Sequence, residues 1–233
     1  MHPFRDSISF YFRHIEKLLL LSITIVLPFS LLNHMTVNYT DFIAAHSSGT
    51  AFADVSGGFF TLLFFMICQL PFVKYVLAQM EGEERPVRQA YRTFFEYGFS
   101  VFLFGVTYGL AVFTGLFIFI IPGIVILVLF YLTPYMTVFR EEPTGNSYRP
   151  ALQMAKKHFF PLLGLIFLAL FIETSLSLIA QIAVTSFSTK FSAMLLTQLL
   201  INLMVFPYFA ILTTMCVKKW QESSLADRAE AAV

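Results

Sequence analysis

The stretch FIFIIPGIVILVLFYLTPYM, Phe117 to Met136, carries no charge and yet holds a Pro-Gly pair. It belongs to a longer run, because the 43 residues between Glu96 and Arg140 contain no Lys, Arg, Asp or Glu. One helix of that length would reach about 65 Å at 1.5 Å per residue, roughly twice the hydrocarbon core of a bilayer. The run therefore cannot be a single crossing. Proline has no N–H to give a helix interior and glycine accepts turn conformations, so Pro122 and Gly123 predict a turn in the middle. Two helices of about 20 residues then form a transmembrane hairpin.

Composition places the whole chain in the same class. It is 58% hydrophobic and 12% charged, against about 45–50% and 25% for soluble domains. A net charge of +1 argues against nucleic acid as a partner, which needs a strongly basic face. Cys68 and Cys216 lie in apolar runs, so neither a disulfide nor a metal site is expected. The apolar segment after Lys17 has no small-x-small cleavage site at a suitable distance, and more spans follow it. It reads as a retained first helix.

Six apolar segments emerge, at about 17–35, 57–79, 98–120, 123–140, 160–185 and 193–217. If both termini are cytoplasmic, 14 of the 15 Lys and Arg fall on the inner side and only Lys190 on the outer. That bias fixes the orientation and requires an even number of spans. The expected location is the cell membrane, multi-pass. The segment at about 34–56 reads as a polar outer loop. Its His34, Asp41, His46 and Asp54 match no metal-site spacing, so no metal or other cofactor is expected. Residues 1–220 form one transmembrane domain, and 221–233 a short cytoplasmic tail.

An internal repeat runs through the chain. RDSISFYFRHIEKLLLL from Arg5, RQAYRTFFEYGFSVFLF from Arg88 and RPALQMAKKHFFPLLGL from Arg149 precede the odd-numbered spans. Each sets a small residue two places after the arginine (Ser7, Ala90, Ala151), then a charge and a ring at the same later positions: Arg13-His14, Glu96-Tyr97, Lys157-His158. Charges and aromatics at helical spacing predict amphipathic helices on the inner membrane surface. The even spans carry PFVKY at Pro71, PYMTVF at Pro134 and PYFAIL at Pro207. These prolines are expected to kink their helices. Three parallel units follow, at about 1–80, 81–140 and 141–220. The fold class is all-α, with six transmembrane and three interfacial helices.

The polar residues inside the spans are few. Glu173 sits near the middle of the fifth, where a charge costs at least about 2.5 kcal/mol unless it is paired, protonated or wetted. Ser177, Gln181 and Thr185 follow at four-residue steps on the same face, and Gln198 and Asn202 form a matching pair in the sixth span. The stripe either lines a polar cavity or groove, or a protonated Glu173 bonds Asn202 or Gln198 and glues the helices together. Gly105 and Gly109 make a small-xxx-small face for close helix contact. Lys74 is expected to snorkel to the inner headgroups, and the basic lead-ins to favour anionic lipid.

Ile121-Pro122-Gly123, Pro134 and the segment around Ala151 resemble a family of bacterial six-span proteins. That family includes the membrane domain fused to some glycerophosphodiester phosphodiesterases, together with stand-alone relatives. The resemblance covers most of the chain. Relatives often carry a Ser-Trp type pair in the last segment, where this chain reads QMAKKHFF. The resemblance implies a six-span fold and no particular activity. The phosphodiesterase domain has no counterpart in this sequence.

No HExxH, GxSxG, P-loop or CxxC pattern is present. The expectation is a non-catalytic membrane protein that binds lipid or a partner protein, in an envelope-related role or as a homo-oligomer. The alternative is a small transporter or channel using the Glu173 face. A lateral groove would favour lipid, a continuous hydrated path transport, and a dry interior a scaffold.

Overall fold

The computed structural model describes the backbone of residues 3–46, 50–187 and 190–230. Helix makes up 92% of it, with no strand among the described residues. Six helices are long and apolar enough to cross a membrane: Ile15–His46, Val55–Met80, Pro86–Ile118, Ile120–Arg140, Phe159–Thr185 and Phe191–Ser224. The chain is a multi-pass integral membrane protein.

The hairpin in the long apolar run turns three residues earlier than Pro122-Gly123. Helix α5 (Pro86–Ile118) ends where Phe119 adopts an extended backbone, φ −153° and ψ 142°, and α6 (Ile120–Phe130) begins at once. Pro122 and Gly123 sit in the first turn of α6. A missing N–H costs nothing there, because the first helical N–H groups have no partner anyway. Gly123 serves approach rather than bending. A Cβ on it would lie 2.4 Å from Leu116 Cγ, and one on Gly115 would lie 2.9 Å from Gly123 Cα.

The first and third lead-ins are separate helices, α1 (Pro3–Arg13) and α8 (Thr144–Lys157). Each stops at the histidine the repeat aligns. His14 (φ −118°, ψ 19°) and His158 (φ −117°, ψ 34°) share one backbone conformation. The expected third surface helix is not separate, because α5 runs unbroken through Tyr97 into the third span. Ser7, Ala90 and Ala151 are all fully buried, as are Leu18, Val101 and Leu162 eleven residues further on. Small residues there let each lead-in lie close against an even span: α1 on α10 (Phe191–Glu230), α5 on α4 (Thr50–Met80), and α8 on α7 (Thr133–Arg140).

The core sits where the three proline-aromatic segments meet. Leu70 and Val73 of α4, Tyr135 and Val138 of α7, and Ile211 and Leu212 of α10 are almost wholly buried. The odd spans lie outside them and expose large apolar side chains such as Phe102, Phe171 and Ile179. The prolines do not act alike. Helices α4 and α10 run on through Pro71 and Pro207, whereas Pro134 sits in the first turn of α7, after a break at Tyr131 and Leu132.

One loop expectation changes. The polar stretch after His34 is helical. Helix α3 (Leu27–His46) continues through it and α4 starts at Thr50. The side chain of Asp54 lies outside the described residues. The tail after Trp220 continues α10 as far as Glu230. Lys74 with Glu141 and Tyr97, Lys218 beside Met80, and the His158–Trp220 stack mark one end of the bundle, the basic face.

Candidate functional site: a polar pocket inside the spans

The first span does not run as a uniform α-helix. Helix α2 (Ile15–Leu21) passes through a π-type segment, Ser22–Val26, before α3. Such widened turns occur often at functional sites. The segment ends at Val26, which with Phe29, Ser30 and Asn33 of α3 forms one wall of a pocket of about 80 Å³. Thr61, Phe64, Phe65 and Cys68 of α4 form a second wall. Glu173 of α9 (Phe159–Thr185) and Asn202 and Phe206 of α10 complete it. The volume holds a few waters or the polar end of a ligand.

Two of the stripe residues, Glu173 and Asn202, therefore face the same space. Gln181, Gln198 and Asn202 form a ladder. Gln181 Nε2 donates to Gln198 Oε1 at 3.4 Å, and Gln198 Nε2 to Asn202 Oδ1 at 3.2 Å. Ser177 stands apart, its hydroxyl buried without a partner among the described residues. Thr185 bonds back to its own helix. No hydrogen bond or ion pair reaches the Glu173 carboxyl among the described residues, so the glue of Glu173 to Asn202 or Gln198 does not form. Opposite Glu173, Asn33 Nδ2 donates to Thr61 Oγ1 at 3.0 Å and joins the first two spans.

Ser30, Asn33 and Thr61 escaped the sequence reading. Asn33 falls near the end of the first span when that span is cut at residue 35. It moves inward once α3 continues to His46. The only available signal was a polar side chain in an apolar run.

Beneath the pocket, toward the basic face, the spans close. Leu18, Leu21, Phe72, Tyr75 and Ile211 form a packed cluster there. Toward the other face Leu176, Ile179, Leu196 and Leu200 of the third hairpin remain exposed. Gly105 and Gly109 hold the first two hairpins together. Cβ atoms there would lie 2.8 Å from Leu63 and 2.7 Å from Phe59 of α4, a contact within the chain. Cys68 and Cys216 are free and buried.

Lys74 does not snorkel. Its side chain is 9% exposed and its Nζ lies 2.9 Å from Glu141 Oε1 and 3.5 Å from Glu83 Oε1. Both carboxylates are distant or out of register in sequence, so the pairing was not legible there.

Comparison with known proteins finds no family model, no curated protein and no solved structure that matches this chain.

Proposed function

We propose that this is a non-catalytic lipid-binding protein of the bacterial cytoplasmic membrane, with both termini cytoplasmic and an envelope-related role. The observation that carries the reading is the unpartnered Glu173, set among Phe64, Phe65 and Phe206 in a pocket between the first and third hairpins. Such a wall fits an amphiphile, with apolar body against the rings and a hydrogen-bond donor at the carboxyl. A carboxyl in hydrocarbon is costly and in most proteins marks function. The packed layer beneath it favours a lateral groove over a transport path. The resemblance to the six-span family stays with this proposal and adds no activity.

A photoreactive phospholipid bearing a diazirine in its acyl chain tests the reading. Illumination of the membrane-embedded protein should cross-link residues 26–33, 61–68 or 202–206. Glu173→Phe, which fills the pocket with a ring, should abolish those cross-links. Equal yield in the variant would sink the proposal. Orientation is checked by an impermeant maleimide, which should label Lys190→Cys but not Gly145→Cys on intact cells. The two native thiols are buried and silent.

A further inference from the structure

The pocket between the first and third hairpins has one acidic group and no basic group to balance it. Glu173 brings the carboxyl, and no Lys, Arg or His is among the lining residues. It stands near the middle of the fifth span, Phe159–Thr185. An ionised carboxyl at that depth is costly unless a positive group meets it. The walls supply none, so the complement comes from outside them, as a proton or as a cationic ligand.

The rest of the wall decides which cation fits. Four of the eleven lining residues are phenylalanine and five carry a side-chain oxygen. The rings form two tilted or edge-to-face pairs. Phe65 and Phe206 lie 4.9 Å apart at 86°, and Phe29 and Phe64 lie 5.5 Å apart at 63°. Aromatic faces attract cations. The oxygens come from four helices: Ser30 and Asn33 of α3, Thr61 of α4, Glu173 of α9 and Asn202 of α10. Asn202 Oδ1 already accepts from Gln198 Nε2 at 3.2 Å, but an amide oxygen has a second lone pair. An inorganic ion such as calcium takes about six to eight oxygens on all sides. A wall that is part oxygen and part ring does not offer that. It suits a protonated amine on an apolar chain, which donates N–H groups to the oxygens and lays its carbon end on the rings.

We propose that the amphiphile bound here carries a protonated amine and that the Glu173 carboxylate pairs with it, a step that rests on the lipid-binding reading of the same pocket and names its head group. The ammonium donates to Glu173, and Ser30 and Asn202 offer further oxygens. Such charge-assisted bonds are roughly twice as strong as neutral ones. An alcohol on the same chain makes only a neutral donor bond. A fatty acid would set a second carboxyl beside Glu173, and like charges disfavour each other's ionised form. The volume of about 80 Å³ suits an ammonium and the first carbons of its chain.

Competition for the diazirine-phospholipid cross-link tests it, on the full chain in a non-ionic detergent near neutral pH. Dodecylamine, dodecanol and dodecanoate share one chain and differ only in the head. Dodecylamine should compete at least about tenfold better than dodecanol, because the alcohol lacks the charge-assisted bond, and dodecanoate should compete least. Glu173→Gln keeps the shape of the side chain and removes its charge. It should bring dodecylamine down to the level of dodecanol and leave dodecanol unchanged. Direct binding of radiolabelled dodecylamine should be saturable in the wild type. Dodecanol competing as well as dodecylamine, or a preference for the amine that survives Glu173→Gln, overturns the amine head and leaves the lipid reading standing. A wild-type protein that shows neither the cross-link nor saturable dodecylamine binding overturns both.

Discussion

Lys74 Nζ and Glu141 Oε1 lie 2.9 Å apart and tie the second span to the end of the fourth. Glu141 is also the one described non-glycine residue with positive φ, at 52°. Its carbonyl accepts from Tyr97 Oη at 2.8 Å. Two tertiary contacts thus hold a backbone conformation that costs an L-residue about 1–2 kcal/mol.

The two partners of this pair should respond differently to substitution. Lys74 is nine-tenths buried and Glu141 is 67% exposed. Glu141→Gln leaves Lys74 with Glu83 alone and should cost about 1–2 kcal/mol. Lys74→Met removes the buried charge and should stay within about 1 kcal/mol of wild type. Thermal unfolding in micelles, followed by the single Trp220, measures both. Equal losses would mean that the charge itself stabilises the bundle.

The hairpin at Phe119 should tolerate no methyl group at its glycines. A Cβ on Gly123 would meet the Leu116 backbone nitrogen at 2.6 Å, and the main chain cannot rotate aside. Gly123→Ala and Gly115→Ala should each cost about 1–3 kcal/mol, the range for overpacking. Gly164→Ala, in the interior of α9 with open space around it, should lie within about 1 kcal/mol of wild type.

The polar ladder and Glu173 should separate in a stability assay. Gln198 bonds both Gln181 and Asn202, so Gln198→Leu should lose about 0.5–2 kcal/mol, as for interhelical bonds in bilayers. Glu173 has no such partner, and Glu173→Gln should leave the unfolding temperature unchanged. A large loss on Glu173→Gln would restore its role as glue.

Acidification should loosen the end of α8. His158 has a folded pKa below its ordinary value near 6.5, chiefly from burial. The unfolded chain then takes up the proton first. The stability that neutral His158 contributes is present above the ordinary value and is lost as pH falls through the folded pKa. Trp220 emission should be quenched over the same interval, because the imidazolium forms against the indole. In His158→Phe, which keeps a stacking ring, the quenching should vanish.

The sequence alone determined the class, the six crossings and the lead-in repeat. Uncharged runs too long for one span, and arginines spaced alike before each odd helix, are local signals that solvent reads directly. The tertiary structure decided the rest. It moved the hairpin turn to Phe119, because proline is harmless in a helix's first turn and the glycines were needed for close approach. It fused one lead-in into α5. It turned Lys74 from a snorkelling residue into a buried ion pair with Glu141, 67 positions away, and brought Asn33 and Thr61 opposite Glu173. Those pairings depend on which helix faces touch. Hydropathy sets how deep a residue lies, but not which neighbour it meets there.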